Sequence, residues 1–391
     1  MELGGRLALI RDFFAIAQGL LAVRVAARML GTAAGDAIAR TARVTQPSPS
    51  LAAIVPVLDE AARLEPALEG LIAQPRILQQ ILIVDGGSTD GTQAIVRRFA
   101  ARDPRVVLVE AHPPAAGWNG KAWNLAAGLA ATDPRAEWIL TMDADVRPGS
   151  DFASSLLAHA QGAFVDAFSA APRFKLSGMA EAAIHPAFLA TLVYRCGLPG
   201  NVAQSPARIV ANGQCFVAKR ALLVRTNAFA AARSSRCEDV TIARHLVSGG
   251  AQVGFFEAGS LAFVEMYASA AECFAGWPRS LPLKDGTTSG VAIAFALTEI
   301  ALVQTLPLAI VAATLALRGR TDSLAFRLNV ALVLMRLGVL AGTRRAYDRP
   351  PPTFWLSLVC DIPVTLSILR STFTRNQVWR GRTLVHPAVA G

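Results

Sequence analysis

The chain has 391 residues, of which 53% are hydrophobic and 17% charged, and its formal net charge at pH 7 is +10. It is too apolar for an ordinary soluble enzyme, while its frequent Asp, Gly and Pro residues exclude a simple helical bundle. The positive charge fits an anionic membrane surface or phosphorylated substrates, but no zinc-finger spacing, aromatic RNA-binding signature or dense basic tail supports nucleic acid as a partner.

The N-terminal segment, residues 1–41, contains an uncharged apolar stretch over residues 13–23 that is flanked by arginines. This stretch is short for a membrane span and no small-residue cleavage site follows it, so a removable signal peptide is not expected. The segment is predicted to be a membrane anchor or an interfacial amphipathic helix. Residues 42–50, with Thr, Ser and two Pro, are the predicted linker.

Residues 51–285 alternate strand-like and helix-like segments, which predicts an α/β domain with a mainly parallel sheet whose strands are buried on both faces. Because ligands in open α/β sheets bind beyond the carboxyl ends of the strands, Asp85, Asp143 and Asp145 should converge on one crevice. The predicted strands are 54–57, 81–84, 106–109 and 138–142, and the predicted helices are 60–73, 91–100, 121–130 and 240–247.

After Gly286 the chain becomes apolar again, and three segments are each long enough, or almost, to cross a hydrocarbon core of roughly 30 Å. They are residues 291–317, 324–341 and 354–369. Region 286–372 is therefore predicted to form transmembrane helices, followed by a basic tail over 373–391. A buried helical subdomain is the alternative. The charged residues inside the segments should pair with one another or lie near headgroups; they are Glu299, Arg327, Arg336 and Asp361.

The five cysteines are scattered along the chain and never form a C-x-x-C pair. This spacing argues against a disulfide framework or a structural zinc site, and it indicates a reducing compartment. The five histidines have no metal-ligand spacing either, so we interpret them as structural or surface residues.

Two acidic motifs follow strand-like runs. Asp143-Ala-Asp145 closes the run 138–142 and offers hard oxygen ligands to Mg²⁺ or Mn²⁺, ions that bind through one or two carboxylates plus substrate phosphates. Asp145 is the better candidate for direct ligation. Asp85 ends an earlier run and is followed by two glycines, so its carboxylate can accept hydrogen bonds from a base or a ribose. Capping of the turn is the alternative role for Asp85.

Two further motifs open predicted helices. Lys121 follows the turn Gly117-Trp-Asn-Gly120, an arrangement suited to a phosphate group, with an ordinary surface lysine as the alternative. Glu238 and Asp239 begin the helix that continues over 240–247. An acid at a helix start is often only a cap, but one aimed into the crevice could take a proton from an acceptor hydroxyl.

Taken together, these motifs resemble those of family 2 glycosyltransferases of the GT-A fold, over roughly residues 50–285. Within that family they are similar to the membrane-bound hopene-associated and carotenoid-type glycosyltransferases. The resemblance rests on Val55-Pro56 with Asp59-Glu60, Val84-Asp85-Gly-Gly-Ser-Thr-Asp90-Gly-Thr92, Gly117-Trp-Asn-Gly-Lys121-Ala-Trp123, Asp143-Ala-Asp145, His185-Pro-Ala-Phe188, Asn212-Gly-Gln-Cys215 and Glu238-Asp239.

The resemblance implies roles for individual residues. Asp85 and Glu60 would hold the nucleoside. Asp143 and Asp145 would hold the sugar diphosphate and its metal. Asp239 would act as the general base of an inverting transfer, with Glu238 beside it at the substrate.

Two departures from the family pattern matter. Gly86 stands where many members carry a second Asp. The Gln-x-x-Arg-Trp signature of processive synthases is absent, and Gly276-Trp277-Pro278-Arg279 is its nearest counterpart. Trp277 and Arg279 are therefore the expected substrate contacts there, and transfer of a single sugar is preferred over polymer extension.

The expected protein is thus a multi-pass cell-membrane enzyme with a cytoplasmic catalytic domain, a nucleotide-sugar donor and a lipid acceptor of polyprenoid, hopanoid or carotenoid type. One alternative is a nucleotidyltransferase such as a nucleotide-sugar pyrophosphorylase. That class ordinarily shows a Gly-rich basic loop after the first strand, where this chain has Leu58-Asp59-Glu60. The other alternative is a non-catalytic membrane scaffold.

Overall fold

The computed structural model describes residues 2–41, 50–203, 205–206, 209–235, 237–279, 289–374, 376–379 and 382–385, with side chains for all of these except 2–10, 279, 376–379 and 382–385. Residues 42–49 of the predicted linker and much of the predicted tail lie outside this description.

The chain forms two compact units. The helical unit comprises residues 1–34, 176–198 and 267–391, and it includes helices α1 (Glu2–Thr32) and α6 (Met179–Cys196). The α/β unit comprises residues 35–175 and 199–266.

The α/β unit is built on one sheet, whose strands are β1 (Leu51–Val57), β2 (Leu78–Asp85), β3 (Val106–Glu110), β4 (Trp138–Met142), β5 (Val146–Pro148), β6 (Ala167–Phe174), β7 (Asn201–Val202), β8 (Cys215–Lys219) and β9 (Val253–Val264). Their order is β3-β2-β1-β4-β8-β6-β9-β5, and β7 pairs with β9 at the side. The helices of this unit are α2 (Ala61–Ile72), α3 (Thr92–Arg102), α4 (Gly120–Ala131), α5 (Phe152–Gly162), α7 (Arg220–Thr226), α8 (Ala228–Ala231) and α9 (Glu238–Ser248).

The prediction of an α/β fold is confirmed, but the sheet is mixed, whereas a mainly parallel sheet was expected. Strands β3, β2, β1 and β4 are parallel, whereas β4–β8, β8–β6, β9–β5 and β9–β7 are antiparallel and β6–β9 is parallel. Continuous apolar runs show that a strand is buried on both faces. They do not show its direction, because an antiparallel strand covered on both faces has the same composition.

Close packing of α4 on the sheet sets the position of the loop before it. A Cβ on Gly128 of α4 would lie 2.4 Å from Cγ2 of Ile54 in β1 and 2.9 Å from Cγ2 of Val84 in β2. Only glycine permits this approach. The N-terminal end of α4, with Lys121, is thereby held near the carboxyl ends of the central strands.

The helical unit also contains α10 (Ala270–Gly276), α11 (Gly290–Glu299), a π-helical turn (Ile300–Thr305), α12 (Leu306–Ala316), α13 (Leu324–Thr343), α14 (Asp361–Phe373), three 3₁₀ segments (Trp277–Arg279, Arg344–Ala346 and Pro352–Cys360) and the hairpin β10–β11 (Asn376–Trp379 and Arg382–Val385). Four helical stretches in the described residues are long and apolar enough to cross a membrane, namely Arg11–Thr32, Gly290–Ala316, Leu324–Ala346 and Pro352–Phe373. The N-terminal stretch, with 22 residues, is longer than its uncharged centre indicated.

Most of the charged groups in these stretches are paired, as expected. Arg336 and Asp361 form an ion pair of 3.0 Å whose side chains are 2% and 3% exposed. Glu299 pairs with Arg28 at 3.1 Å and Arg24 at 3.7 Å, both on α1. Arg327 is exposed. Pairing offsets part of the cost of placing such groups in an apolar environment.

Helix α6 interrupts the α/β unit, whereas the sequence predicted one continuous domain over 51–285. The helix carries the motif His185-Pro-Ala-Phe188, and it packs within the helical unit. Nδ1 of His185 lies 3.0 Å from the Tyr347 hydroxyl, and the backbone carbonyl of Ala187 accepts a hydrogen bond of 3.1 Å from Gln304. The motif therefore contributes to helix packing.

Candidate active site

The two metal-candidate acids lie in the short turn between β4 and β5. The Asp143 amide donates to the Gln214 carbonyl at 3.1 Å, and the Val146 amide donates to the Asp143 carbonyl at 3.2 Å, which fixes the turn at the carboxyl end of β4. Oδ1 of Asp145 is buried and has no hydrogen-bond partner. Burial, and then the negative charges of Asp143 and Glu60, raise the pKa of Asp145 to about 7.

This turn fits a divalent cation. A buried carboxylate oxygen without a donor, placed among other acids, is stabilised by a positive charge. No group of three His, Cys, Asp or Glu side chains in the described part of the chain could hold a metal ion. The protein would thus supply Asp143 and Asp145, and Mg²⁺ or Mn²⁺ commonly completes such a shell with water and substrate phosphates.

Lys121 links this turn to the start of α9. Its Nζ lies 2.8 Å from Oδ1 of Asp143 and 2.8 Å from Oε1 of Glu238. Burial alone would lower the pKa of Lys121, but the charges of Asp143 and Glu238 outweigh it and hold that pKa well above its ordinary value. Lys121 is thus a cation held between two acids rather than an ordinary surface lysine, and its binding of a phosphate group stays a prediction.

Asp239 is held by two backbone amides. Its Oδ2 accepts a hydrogen bond of 2.8 Å from the Gly213 amide, and its Oδ1 accepts one of 2.8 Å from the Val240 amide. Burial and the neighbouring charge of Glu238 nevertheless raise the pKa of Asp239 to about 7. A carboxylate with that pKa is matched to accepting a proton near neutral pH.

Local sequence explains why these groups meet. Asn119 caps α4 by accepting from the Ala122 amide at 2.7 Å, and its own amide group donates to the Ser235 carbonyl at 2.7 Å, next to α9. Gly213 lies beneath the cluster, because a Cβ there would be 3.0 Å from Nζ of Lys121 and 3.4 Å from carboxylate oxygens of Glu238 and Asp239.

The predicted nucleoside acids lie in two loops that are bonded to each other. Asp85 is 1% exposed and accepts hydrogen bonds from the Ser88 amide at 3.1 Å, the Ser88 hydroxyl at 2.5 Å and the Gln93 amide group at 2.7 Å. It caps its own turn, as the alternative role required. The backbone amide of Glu60 donates a hydrogen bond to the Thr92 hydroxyl at 2.9 Å. Nucleoside binding by Asp85 and Glu60 stays a prediction.

Two acids that received no role from the sequence hold these loops together. Asp59 Oδ1 accepts from the Thr89 amide at 2.8 Å, and Asp90 Oδ2 accepts from the Ala61 amide at 2.9 Å. Asp59 has a positive φ of 52°. Their places in the motifs Asp59-Glu60 and Ser88-Thr-Asp90 were the available signal, but the cross-loop pairing is a tertiary contact.

The remaining two predicted contacts belong to the helical unit. Trp277 is 5% exposed and packs against the rings of His185 and Phe188, with centroids 3.9 Å and 5.5 Å away. The side chain of Arg279 lies outside the described residues. Substrate contact by Trp277 and Arg279 stays a prediction.

Part of the chain is similar to known proteins. Residues 52–204 match the model of glycosyl transferase family 2. The match covers less than half of the 391 residues and shows that this stretch is similar to a family 2 glycosyltransferase domain. A structure of the mannosyltransferase PcManGT from Pyrobaculum calidifontis, in complex with GDP-Man and Mn²⁺, matches with a TM-score of 0.54 and 18% identity over 92% of this chain and 98% of that one. This likeness confirms the predicted GT-A-like fold.

Two curated relatives match over short segments. The succinoglycan biosynthesis protein ExoA of Rhizobium meliloti is 43% identical over 58 residues, which is 15% of this chain and 18% of that protein. Glycosyltransferase AglE of Haloferax volcanii is 36% identical over 70 residues, which is 17% of this chain and 23% of that protein. The chain thus spans less than a quarter of the length of these relatives.

All five cysteines lie in the described residues, and none of them forms a disulfide bond there. The reducing compartment stays a prediction.

Proposed function

We propose that the protein transfers a single sugar, with inversion, from a nucleotide-sugar donor to the hydroxyl of a membrane lipid, with the aid of a divalent metal ion. The observation that carries this proposal is the cluster at the carboxyl end of β4, where Lys121 joins Asp143 to Glu238 and Asp239 follows directly. It supports a site with a cation-binding end and a proton-accepting end, inside a family 2 glycosyltransferase domain.

The donor end is the turn with Asp143 and Asp145. The metal, when bound there, would neutralise the leaving diphosphate. Lys121 adds a fixed positive charge beside Asp143 and suits a phosphate oxygen, since an ammonium group can bind phosphate as a point charge. Two cations of different origin would then face the leaving group.

The acceptor end is Asp239. In an inverting transfer the acceptor oxygen attacks the anomeric carbon from the face opposite the leaving diphosphate, and its proton passes to a carboxylate. The amides of Gly213 and Val240 orient the Asp239 carboxylate while leaving each oxygen a second lone pair. Positioning of this kind contributes more to the rate than the proton transfer alone, which adds about 10²- to 10⁴-fold.

A lipid acceptor and a membrane location are supported by the four helices that could span a bilayer. If they are spans, the full-length protein should stay in the membrane fraction after washing with alkaline carbonate, because about twenty apolar residues per span hold a chain essentially irreversibly. A cytoplasmic orientation and a hopanoid, carotenoid or polyprenoid acceptor are the finer forms of this proposal.

The direct test is transfer by the purified full-length protein in detergent. It would be incubated with Mn²⁺, with uridine- and guanosine-diphosphate sugars in turn, and with total membrane lipid, and the products would be identified by mass spectrometry and by the anomeric coupling constant. We expect one lipid species that gains one sugar of inverted configuration. Products with several added sugars, or with retained configuration, would contradict the proposal.

A further inference from the structure

A row of three side chains crosses the sheet at the β6-β9-β5 edge. Arg173 of β6 and Arg147 of β5 are both register partners of Phe263 on the central strand β9. Residues opposite one another on neighbouring strands point to the same face of a sheet. Arg147, Phe263 and Arg173, hereafter the arginine row, therefore lie side by side on one face.

This face is partly open, and the other face is closed. Val146, Phe174 and Val264, which precede or follow the members of the row, are at most 8% exposed. The members of the arginine row are themselves only half-buried. A ligand can therefore reach the two guanidinium groups and the ring between them.

Neither arginine forms an ion pair or a hydrogen bond with a carboxylate of the described residues. Nη1 of Arg147 donates to the carbonyls of Ala144 at 3.0 Å and Val146 at 3.3 Å. Arg173 has no hydrogen bond or ion pair to any described residue, and its Nε is buried without a partner. Lys175, which directly follows β6, is by contrast paired with Glu265 at 2.6 Å.

Two half-buried guanidinium groups that form no ion pair with a described residue can offer donors to an oxyanion, although the charges of Asp145, Glu265 and Glu60 also act on Arg147. The guanidinium group presents a planar fork of donors that matches phosphate and carboxylate oxygens, and it is more weakly hydrated than an ammonium group. An anion placed across the row would use the buried donor of Arg173 and part of the guanidinium of Arg147, and Phe263 would form the apolar floor.

The position of the row favours the acceptor over the donor nucleoside. The predicted nucleoside loop follows β2, in the parallel half of the sheet, whereas the row lies on β6, β9 and β5 in the mixed half. Arg147 follows Asp145 by two residues. Arg173 and Phe263 thus lie on strands of the half of the sheet that does not carry the nucleoside loop, which favours the second substrate.

We propose that the arginine row binds an anionic oxygen group of the acceptor, so that the acceptor is a lipid whose headgroup carries a phosphate as well as the hydroxyl that receives the sugar. This inference rests on the proposed function. It narrows the acceptor to anionic lipids and assigns Arg147 and Arg173 as specificity-determining residues.

The first experiment measures anion binding without catalysis. Octyl phosphate and octanol would be titrated into the detergent-purified full-length protein by calorimetry, in excess chelator so that no metal-dependent phosphate site contributes. We expect binding of octyl phosphate alone, about tenfold or more weaker in Arg173→Gln and intermediate in Arg173→Lys, which keeps the charge but loses the fork. Arg135→Gln is the control, since Arg135 is exposed and paired with Asp133. Equal binding in Arg173→Gln and Arg135→Gln would overturn the proposal.

The second experiment compares two acceptors with the same acyl chains, phosphatidylglycerol and diacylglycerol. We expect the wild-type protein to prefer phosphatidylglycerol, and Arg173→Gln to raise its KM about tenfold while the KM for the donor and the use of diacylglycerol stay unchanged. A raised donor KM would instead assign the row to the diphosphate and overturn the inference. Equal use of both lipids by the wild type would overturn it as well, but would leave the proposed function intact. Absence of sugar transfer to any lipid would count against the proposed function, and the calorimetry would still decide whether the row binds an anion.

Discussion

The candidate site of the α/β unit and the candidate spans of the helical unit differ in how their buried charges are neutralised. In the helical unit, each buried charge in the candidate spans has a partner of opposite sign, as in the pairs Arg336–Asp361 and Arg28–Glu299. In the α/β unit, Lys121 pairs with both Asp143 and Glu238, and Arg63 acts on Asp145, yet the pKa values of Asp145 and Asp239 are both raised to about 7.

This difference in neutralisation distinguishes charged groups that stabilise the fold from charged groups that are suited to binding a ligand. A buried ion pair holds its helices together mainly because loss of one partner leaves the other uncompensated. An excess of like charge has the opposite effect, since it destabilises the empty protein and is relieved when a cation or a proton binds. Strongly perturbed acids in a crevice are for that reason candidates for function.

The largest expected effect is at Asp145. Asp145→Asn removes one ligand of the proposed metal site, and we expect sugar transfer to fall by about 10³-fold, since a metal can supply several kcal/mol of transition-state stabilisation. The melting temperature should stay level or rise, because one of four crowded acids has lost its charge. Asp133→Asn, at the opposite end of β4, is the control. Full activity of the wild type in excess chelator would contradict the metal assignment.

The next effect is on stability and concerns Arg336. Arg336→Met should destabilise the protein by about 3–5 kcal/mol, because Asp361 is left buried without its partner. The double variant Arg336→Met with Asp361→Leu should recover most of that loss. Unfolding of the detergent-solubilised protein measures both, and Arg327→Met on the same helix α13 is the exposed control. A double variant as unstable as the single one would show that the pair does more than neutralise charge.

A smaller effect is expected at Asp239. Asp239→Asn keeps the size and the bonds from the backbone amides but cannot accept a proton, so kcat should fall by about 10²-fold with the donor KM little changed. Steady-state kinetics with varied donor checks this split. If the donor KM rose and kcat were maintained, Asp239 would be a binding or capping residue.

The smallest effect is the pH dependence. The pKa of Asp239 is raised to about 7, so the group is protonated below that pH and cannot act as a base. We expect kcat/KM to rise about tenfold per pH unit up to about 7 and then to level off. Asp145 titrates in the same range, but at Asp145 protons compete with the metal ion, whereas at Asp239 they do not. Raising the Mn²⁺ concentration should therefore shift the part of the pH profile that is due to Asp145 and leave the part due to Asp239 unchanged. A rate that falls between pH 5 and 7 would exclude a carboxylate base.

The sequence predicted the parallel half of the sheet closely and the mixed half poorly. The run 138–142 coincides with β4, and the predicted helix 121–130 lies within α4, because strand burial and a capped helix start are local signals. Strands β6, β8 and β9 were not assigned. Their residues are no less apolar, but the insertion of α6 between them depends on packing in another unit.

The sequence predicted the individual acids of the site but not the contacts between them. Asp143, Asp145 and Asp239 stand out because each follows a strand or begins a helix. Lys121 bridges Asp143 and Glu238, and the amide of Gly213 donates to Asp239. These contacts join residues that are about 22 to 117 positions apart in the chain, and no local sequence pattern indicates them.

The π-helical turn at Ile300–Thr305 makes the apolar stretch after Gly290 sensitive to length as well as to composition. A π turn holds one residue more than an α turn, so deletion of Leu302 would let the stretch close into a regular α-helix. Closure of the turn would absorb the deletion, so the helix after it would keep its faces, whereas a deletion in the α-helical segment Gly290–Glu299 would turn all that follows by roughly 100° about the axis. Such a rotation would separate Gln304 from Asp361 and Thr305 from Thr365, to which they are bonded at 2.8 Å and 2.7 Å. A single-codon deletion in Gly290–Glu299 would thus be more damaging than one in the π turn, although hydropathy would hardly change in either case.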